Sequence, residues 1–326
     1  MKAISLLLSL ALTCSSAMAN EIEKENQPVS AENWLEQLSN SLNTRNFSTS
    51  FVVVKDNHAE PYHWFQGIGE NDQKLAILSL LNGPTRDILK KGNVVSYIEP
   101  DLPPYSLNSD KVSSPIPSIF SGDFSSISNS YDFVIGGKSR ILGRSAQLVR
   151  ISARDEHRND HWLWLDQSTG LLLKMVTTTK QGQLLEQIQF THLNITSEPT
   201  ESLKQLAQKE LPKVLDIPEG YQEQKMAWRV NWMPQNFEKL NANRHRMKAS
   251  KKPVEFMLFS DGLVDVSVYV NPSEEKQRAV DFVMDGATVA LNQVKNGVEV
   301  SVVGKIPSNT AKKIADSISY HNQLVR

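Results

Sequence analysis

The stretch HWLWLDQSTGLLLKMVTTT, residues 161–179, carries bulky apolar side chains at both odd and even positions of two strand-like runs. Successive side chains of a strand point to opposite faces of its sheet, so a sheet with one wet face would alternate apolar and polar residues. Asp166-Gln167-Ser168-Thr169-Gly170 separates the two runs with residues that favour turns. The stretch therefore predicts antiparallel strands that are buried on both faces or curled around a helix.

Similar strand-like segments surround this stretch, and few helices separate them. Turns such as Lys91-Gly92-Asn93 and Lys180-Gln181-Gly182-Gln183 are typical of hairpins. A helix is predicted before these strands, over residues 30–42, because apolar residues recur there at helical spacing and Ser30 can cap its N-terminus. The predicted strands of this first unit span residues 50–55, 62–68, 75–81, 85–90, 94–99, 131–139, 146–154, 161–166, 171–179 and 184–194.

Short strands at this density predict one large antiparallel sheet, which we expect to form a partly closed barrel with an apolar filling. Residues 100–130, rich in Pro and Ser, interrupt it as an irregular excursion with short helical turns. The sheet domain is expected over residues 20–205, followed by a linker over 206–222.

A small α+β domain is expected over residues 223–326. Asp261-Gly262 is a strong hairpin signal inside it, and an amphipathic helix is expected from about Asn309. Its predicted strands span residues 225–230, 255–260, 264–271, 288–294 and 298–304.

The N-terminus indicates export. Lys2 is followed by an apolar run that ends in Ala17-Met18-Ala19, the order of a secretory signal peptide over residues 1–19. Cys14, the single cysteine of the 326 residues, lies within this segment, and the residues before it fit lipidation poorly. The mature chain is therefore expected to have no disulfide and no thiol chemistry.

Catalytic and metal-binding motifs are missing from the sequence. It has no G-x-S-x-G, H-E-x-x-H, Walker or G-x-G-x-x-G motif, and we expect no enzyme activity, cofactor or metal. His157, Asp160 and His161 are the best metal candidates, but Arg154 and Arg158 beside them would repel a cation, so a solvated turn is the simpler interpretation. A net charge of −1 argues against a general affinity for nucleic acid.

Two features favour binding. A curled sheet can leave a cavity for acyl chains, although most of its large apolar residues are expected simply to form the core. The basic segment 244–252 is either a solvated loop or a contact for carboxylates or lipid phosphates. The residues predicted to line a lipid cavity are Phe51, Val53, Trp64, Ile77, Leu78, Tyr97, Phe133, Trp162, Trp164 and Met175.

Several short motifs, in the right order along nearly the whole mature chain, resemble the RseB/MucB family. The resemblance implies a large half-open antiparallel β-barrel around helices, similar to periplasmic lipoprotein carriers, and a small C-terminal α+β domain. The motifs are Leu81-Asn82-Gly83-Pro84-Thr85-Arg86, Ser96-Tyr97-Ile98-Glu99-Pro100, Tyr131-Asp132-Phe133, Trp164-Leu165-Asp166, Trp232-Met233-Pro234-Gln235-Asn236-Phe237 and Ser260-Asp261-Gly262-Leu263.

The resemblance also implies a function. Such proteins are periplasmic negative regulators of the sigma-E envelope-stress response: they bind the periplasmic domain of a membrane-spanning anti-sigma factor, shield it from regulated proteolysis, and release it on a lipid signal, lipopolysaccharide or mislocalised lipoprotein. They also form homo-oligomers. A lipid or lipoprotein carrier is the alternative. The residues expected to hold the anti-sigma factor are Phe259, Ser260, Asp261, Gly262, Val264, Val266 and Val268.

Overall fold

The computed structural model describes residues 30–56, 58–215, 226, 228–246, 253–275 and 277–320. The predicted signal peptide, residues 216–222 of the predicted linker and residues 247–252 of the basic segment lie outside these ranges. None of the helices in them is long and apolar enough to span a bilayer.

The first helix, α1 (Ala31–Thr44), begins as the sequence predicts. The Ser30 hydroxyl oxygen accepts a hydrogen bond from the Asn33 backbone N–H at 3.2 Å, and the Asn33 side chain accepts one from the Ser30 N–H at 3.1 Å. This reciprocal cap satisfies two donors that the helix itself leaves unpaired. The buried face of α1 carries Leu35, Leu38 and Leu42.

The large domain contains one antiparallel sheet, in the order β6-β5-β4-β3-β2-β1-β11-β10-β9-β8-β7. Within the described ranges β6 and β7 are its free ends, so the sheet is half-open, and the predicted fold is confirmed. Its strands are β1 (Asn46–Lys55), β2 (His58–Ile68), β3 (Lys74–Leu80), β4 (Arg86–Lys91), β5 (Val94–Ile98), β6 (Tyr105–Asn108), β7 (Tyr131–Ile141), β8 (Arg144–Ala153), β9 (Asp160–Asp166), β10 (Leu172–Thr178) and β11 (Leu184–Thr196).

The inner face of this sheet packs on α1. Phe51, Leu163 and Ile188, from separate strands, are fully or almost fully buried in one core with the leucines of the helix. Two 3-10 turns, Ser118–Ser121 and Phe124–Ile127, complete that core, and they lie in the segment predicted to be irregular. A second helix, α2 (Glu201–Gln208), extends beyond the expected domain end at residue 205.

A bulge explains why consecutive leucines can all be buried in the stretch 161–179. The pairing between β9 and β10 shifts between Leu172 and Lys174, which breaks the strict alternation of faces. In β9 the alternation holds: Leu163 and Leu165 belong to the core, and Trp162 and Trp164 lie on the other face.

The small domain pairs β12 (Trp228–Val230) with β19 (Ile318–Tyr320) and contains a second antiparallel sheet, in the order β13-β14-β15-β18-β17-β16. Helix α3 (Ser308–Asp316) packs on β17 and β18. The strands of the larger sheet are β13 (Glu238–Arg246), β14 (Pro253–Ser260), β15 (Asp265–Pro272), β16 (Gln277–Asp285), β17 (Thr288–Lys295) and β18 (Val298–Gly304).

Candidate functional site

A cavity of about 300 Å³ lies on the inner face of β1 to β4. Its floor includes Phe51, Trp64 and Leu78, and its opposite wall is the segment 110–118 with Ser121 and Gly122. A neighbouring cavity of about 310 Å³ shares Leu78 with it and includes Tyr97. Volumes of this size and an apolar floor are typical of small-molecule sites.

The structure brings together four of the residues predicted for lipid and separates the others. Phe51, Trp64 and Leu78 line the first cavity, and Tyr97 lines the second. Val53, Phe133 and Met175 pack within the core of the large domain. That any of these seven residues contacts lipid stays a prediction.

The remaining three predicted residues lie away from both cavities. Ile77 packs with α2 in a separate apolar cluster on the other face of the sheet. Trp162 and Trp164 are covered by cations from adjacent strands: the Arg150 guanidinium lies 5.3 Å from the Trp162 ring centroid, and the Lys174 ammonium 5.0 Å from that of Trp164.

Cationic side chains line the first cavity beside its apolar floor. Lys74, Lys90 and Lys111 are among its lining residues. The Lys90 ammonium donates to the Asp110 carbonyl oxygen at 2.8 Å and so ties the wall segment to β4. Burial lowers the pKa of Lys90, and the Asp110 carboxylate opposes this effect. Apolar floor and cationic lining together suit a molecule with fatty chains and an anionic head.

A buried ionic cluster joins the two domains. The Arg158 side chain is 1% exposed and its Nε donates to the Asp261 carboxylate at 2.6 Å; the Asp261 side chain is fully buried. Arg158 also contacts the Asp155 carboxylate and the Gln235 carbonyl oxygen. The Tyr131 hydroxyl donates to the same Asp261 oxygen at 2.8 Å. Burial and the Asp261 carboxylate raise the pKa of Tyr131 well above its usual range, so the hydroxyl keeps its proton.

Further pairs extend this interface. The Lys305 ammonium donates to Glu186 Oε1 at 2.7 Å, and the Lys55 ammonium donates to Asp285 at 2.9 Å. Glu186 is buried, so Lys305 supplies the charge that compensates it. The domain interface is therefore held by charged contacts at several points.

The residues predicted to hold the anti-sigma factor lie either in the small domain's interior or at the domain interface. Phe259, Val264, Val266 and Val268 are buried in the core of the small domain. Ser260 is buried and its hydroxyl oxygen accepts a hydrogen bond from the Gly262 N–H at 3.1 Å.

Asp261 and Gly262 lie at the domain interface. A Cβ on Gly262 would come within 2.8 Å of Ile127 in the large domain. Gly262 is exposed, but Asp261 is buried, so a partner that contacts the Asp261 carboxylate would have to separate the domains. The role of both residues in binding stays a prediction.

The three metal candidates of the sequence point to different partners. The buried His161 faces the Thr177 hydroxyl at 3.2 Å, Asp160 pairs with Lys180 at 3.2 Å, and His157 faces the Thr310 hydroxyl at 3.4 Å. Burial lowers the pKa of His161 to about 4, with Lys305 acting in the same direction, so the ring is neutral at pH 7. Within the described ranges no group of three or more metal-ligating side chains occurs.

Two important features were missed from the sequence. Arg158 was interpreted only as a cation that would repel a metal, whereas it is the centre of the domain interface. The wall segment 110–118 was interpreted as irregular chain. No local signal marks either feature, because the partners of Arg158 and Lys90 are set by the tertiary fold.

Comparison with known proteins identifies relatives over nearly the whole chain. Sequence models of the MucB/RseB N-terminal and C-terminal domains match residues 30–215 and 222–319. The sigma-E factor regulatory protein RseB of Escherichia coli K12 is 31% identical over 290 residues, which cover 88% of this chain and 89% of that protein. The sigma factor AlgU regulatory protein MucB of Pseudomonas aeruginosa is 29% identical over 314 residues, covering 95% and 96%.

Solved structures of MucB are similar to this chain as well. The chain in the complex structure of Pseudomonas aeruginosa MucA/MucB is similar with a TM-score of 0.72 and 26% identity, covering 89% of this chain and 99% of that one. A crystal structure of MucB in complex with MucA(peri) gives a TM-score of 0.70, 27% identity and the same coverage.

Proposed function

The chain belongs to the MucB/RseB family, and we propose that it is a periplasmic negative regulator of an envelope-stress sigma factor. In this role it binds the periplasmic domain of a membrane-spanning anti-sigma factor and shields it from regulated proteolysis. The observation that carries the proposal is the match, over 89% of this chain, to MucB in complex with MucA(peri). Because the relatives are named as sigma-factor regulators, a regulatory binding role is favoured over catalysis.

We further propose that an anionic lipid releases the partner by occupying the cavity over Phe51, Trp64 and Leu78. Each methylene that enters an apolar cavity contributes roughly 0.8 kcal/mol. Lys74 and Lys111 would then meet the anionic head. Release requires antagonism between the two ligands, so the partner must weaken lipid binding by the same factor as lipid weakens partner binding.

Protection from proteolysis tests both halves of this proposal. The purified periplasmic domain of the anti-sigma factor is incubated with its first regulated protease, with and without this protein, and lipopolysaccharide is then added. Protection that lipopolysaccharide removes is the expected result. A partner domain that is cut equally fast with and without this protein contradicts the regulatory role.

A matched pair of variants tests the cavity. Leu78→Trp places a larger ring where the cavity floor is, whereas Leu81→Trp makes the same change at a side chain that is 53% exposed. We expect L78W to protect the partner but to need at least about tenfold more lipid for release than wild type or L81W does, because the acyl chains lose their space. Equal lipid responses in both variants would place the lipid elsewhere.

The cavity also suits a lipid or lipoprotein carrier. A pull-down from envelope extracts separates the two functions: recovery of an anti-sigma factor supports regulation, and recovery of lipoproteins alone supports transport.

A further inference from the structure

The core face of the small sheet extends beyond the helix that covers it. Val289 and Leu291 on β17 are buried at 2% and 1% exposure, and α3 packs on β17 and β18. Directly opposite them on β16 stand Met284 and Phe282, which therefore lie on the same face. These two side chains are 52% and 41% exposed. The apolar surface thus continues past α3 onto an edge strand.

This exposed strip borders a cleft between the two domains of about 610 Å³. Leu185 of the large domain and Met284, Val289 and Ile306 of the small domain give the cleft an apolar side. The strip and the cleft therefore form one continuous surface.

The charged lining of the cleft favours an acidic occupant. Lys180 and Lys313 line it together with a single carboxylate, Glu156. Lys180 already contacts Asp160, whereas Lys313 lies over the Trp232 ring at 3.9 Å. Lys313 forms no ion pair among the described residues, so it is the cation of the cleft that a carboxylate of a ligand can meet.

The outer edge of β16 has no neighbour among the strands that the structure describes. Its backbone N–H and C=O groups are available for pairing, and Val283, on the face opposite Phe282 and Met284, is 61% exposed. Proteins usually protect such edges, because an apolar edge strand is a template for another strand. Three consecutive exposed apolar side chains on a free edge therefore indicate a surface that is covered in the working complex.

We propose that β16 is the docking edge for an extended, acidic and apolar segment of the partner polypeptide, which pairs with it as an added strand. Alternate apolar side chains of that segment pack on Phe282 and Met284, and a carboxylate lies near Lys313. A strand fits better than a fatty chain because only a polypeptide can satisfy the free backbone groups of the edge. The inference rests on the proposed function, since the partner is the periplasmic domain of the anti-sigma factor.

A second copy of this chain suits the edge less well. If two β16 strands paired antiparallel over their full length, Gln277 would stand opposite Asp285 and the central Asp281 opposite its own copy. Like charges directly opposite one another destabilise a strand pair.

Binding of the labelled periplasmic domain of the anti-sigma factor to the full mature chain tests the inference. The test variant is F282K/M284K. The control is V134K/I135K, which changes two side chains of 39% and 46% exposure on β7, the free edge of the other sheet. We expect F282K/M284K to raise Kd at least about tenfold and the control to stay within about twofold, with thermal unfolding unchanged in both.

Hydrogen exchange supplies a second readout that does not depend on variants. Amides of β16 should exchange at least about tenfold more slowly in the complex than in the free protein, because an added strand pairs the edge. If wild type binds no anti-sigma factor, the proposed function itself fails. If wild type binds, but F282K/M284K binds equally well or β16 gains no protection, only the docking edge is overturned. Loss of self-association alone in F282K/M284K would likewise overturn it, in favour of a second copy.

Discussion

Replacing Arg158 by Met tests the idea that one buried cluster holds the two domains together. The Arg158 and Asp261 side chains are 1% and 0% exposed, so removing the guanidinium leaves the carboxylate in the protein interior without its cation. Breaking a buried ion pair in this way costs about 3–5 kcal/mol. The Gln235 carbonyl oxygen loses its donor as well, and the contact of the guanidinium with the Phe237 ring at 4.9 Å is lost. We expect R158M to lower the free energy of unfolding by about 4 kcal/mol.

Arg154→Met is the matched control. Arg154 pairs with Asp132 at 2.9 Å, but the two side chains are 51% and 58% exposed. Exposed pairs contribute about 0–1 kcal/mol, because water already solvates both charges. The same substitution four positions away along the chain should therefore change stability little.

Urea unfolding at pH 7, followed by tryptophan fluorescence, measures the difference. Trp228 and Trp232 report on the small domain, and Trp34 and Trp64 on the large one. In R158M we expect the two domains to unfold at more widely separated urea concentrations, since their shared contact is gone. An R158M protein within about 1 kcal/mol of R154M would refute the reasoning, because the cluster would then contribute no more than a surface pair.

Two further predictions concern pH and the domain interface. Burial holds the pKa of His161 at about 4, below its ordinary value of 6.5, so the unfolded chain binds the proton more tightly. The free energy of unfolding of wild type should therefore fall by about 3 kcal/mol as pH falls from 6.5 to 4. In thermal melts from pH 7.5 to 4, His161→Asn should lack that part of the decrease. Parallel melting curves of H161N and wild type would contradict this. Gly262→Ala should destabilise by about 1–3 kcal/mol more than Gly182→Ala in urea unfolding. Both glycines have positive φ, but only at Gly262 would the new Cβ meet Ile127, and equal losses would show that this clash is relieved at no cost.

The sheet was largely predictable because most of its strands show a period of two and end at recognisable turns. Four strands were missed, β6, β13, β16 and β19, and each has a strand on one side only in the sheet order. An edge strand packs against one neighbour and is half-solvated, so its sequence needs no regular alternation. The strand 238–246, EKLNANRHR, has Leu240 and Ala242 as its only apolar residues. Local pattern carries little information on such strands.

The lipid site was predictable only in part, since the sequence does not fix which face of a strand points inward. Both parities of β9 are bulky, and the tryptophans were expected inside. The structure instead buries Leu163 and places Trp162 directly opposite Arg150 and Trp164 directly opposite Lys174. Cations at cross-strand positions cover the rings and make the outward orientation acceptable. A search for Arg or Lys opposite each Trp could have found this orientation.

The predicted partner site also depends on tertiary contacts, in this case contacts between the two domains. The hairpin at Asp261-Gly262 was predicted to hold the anti-sigma factor, yet Asp261 accepts hydrogen bonds from Arg158 and Tyr131, which lie in the other domain. A partner that bound Asp261 would have to replace both donors and leave Arg158 buried with one carboxylate fewer, at a cost of about 3–5 kcal/mol. A partner that bound β16 would cover exposed apolar groups and break no contact of this cluster. Binding at the margin of the interface is therefore favoured over binding within it, and R158M should weaken docking less than F282K/M284K does.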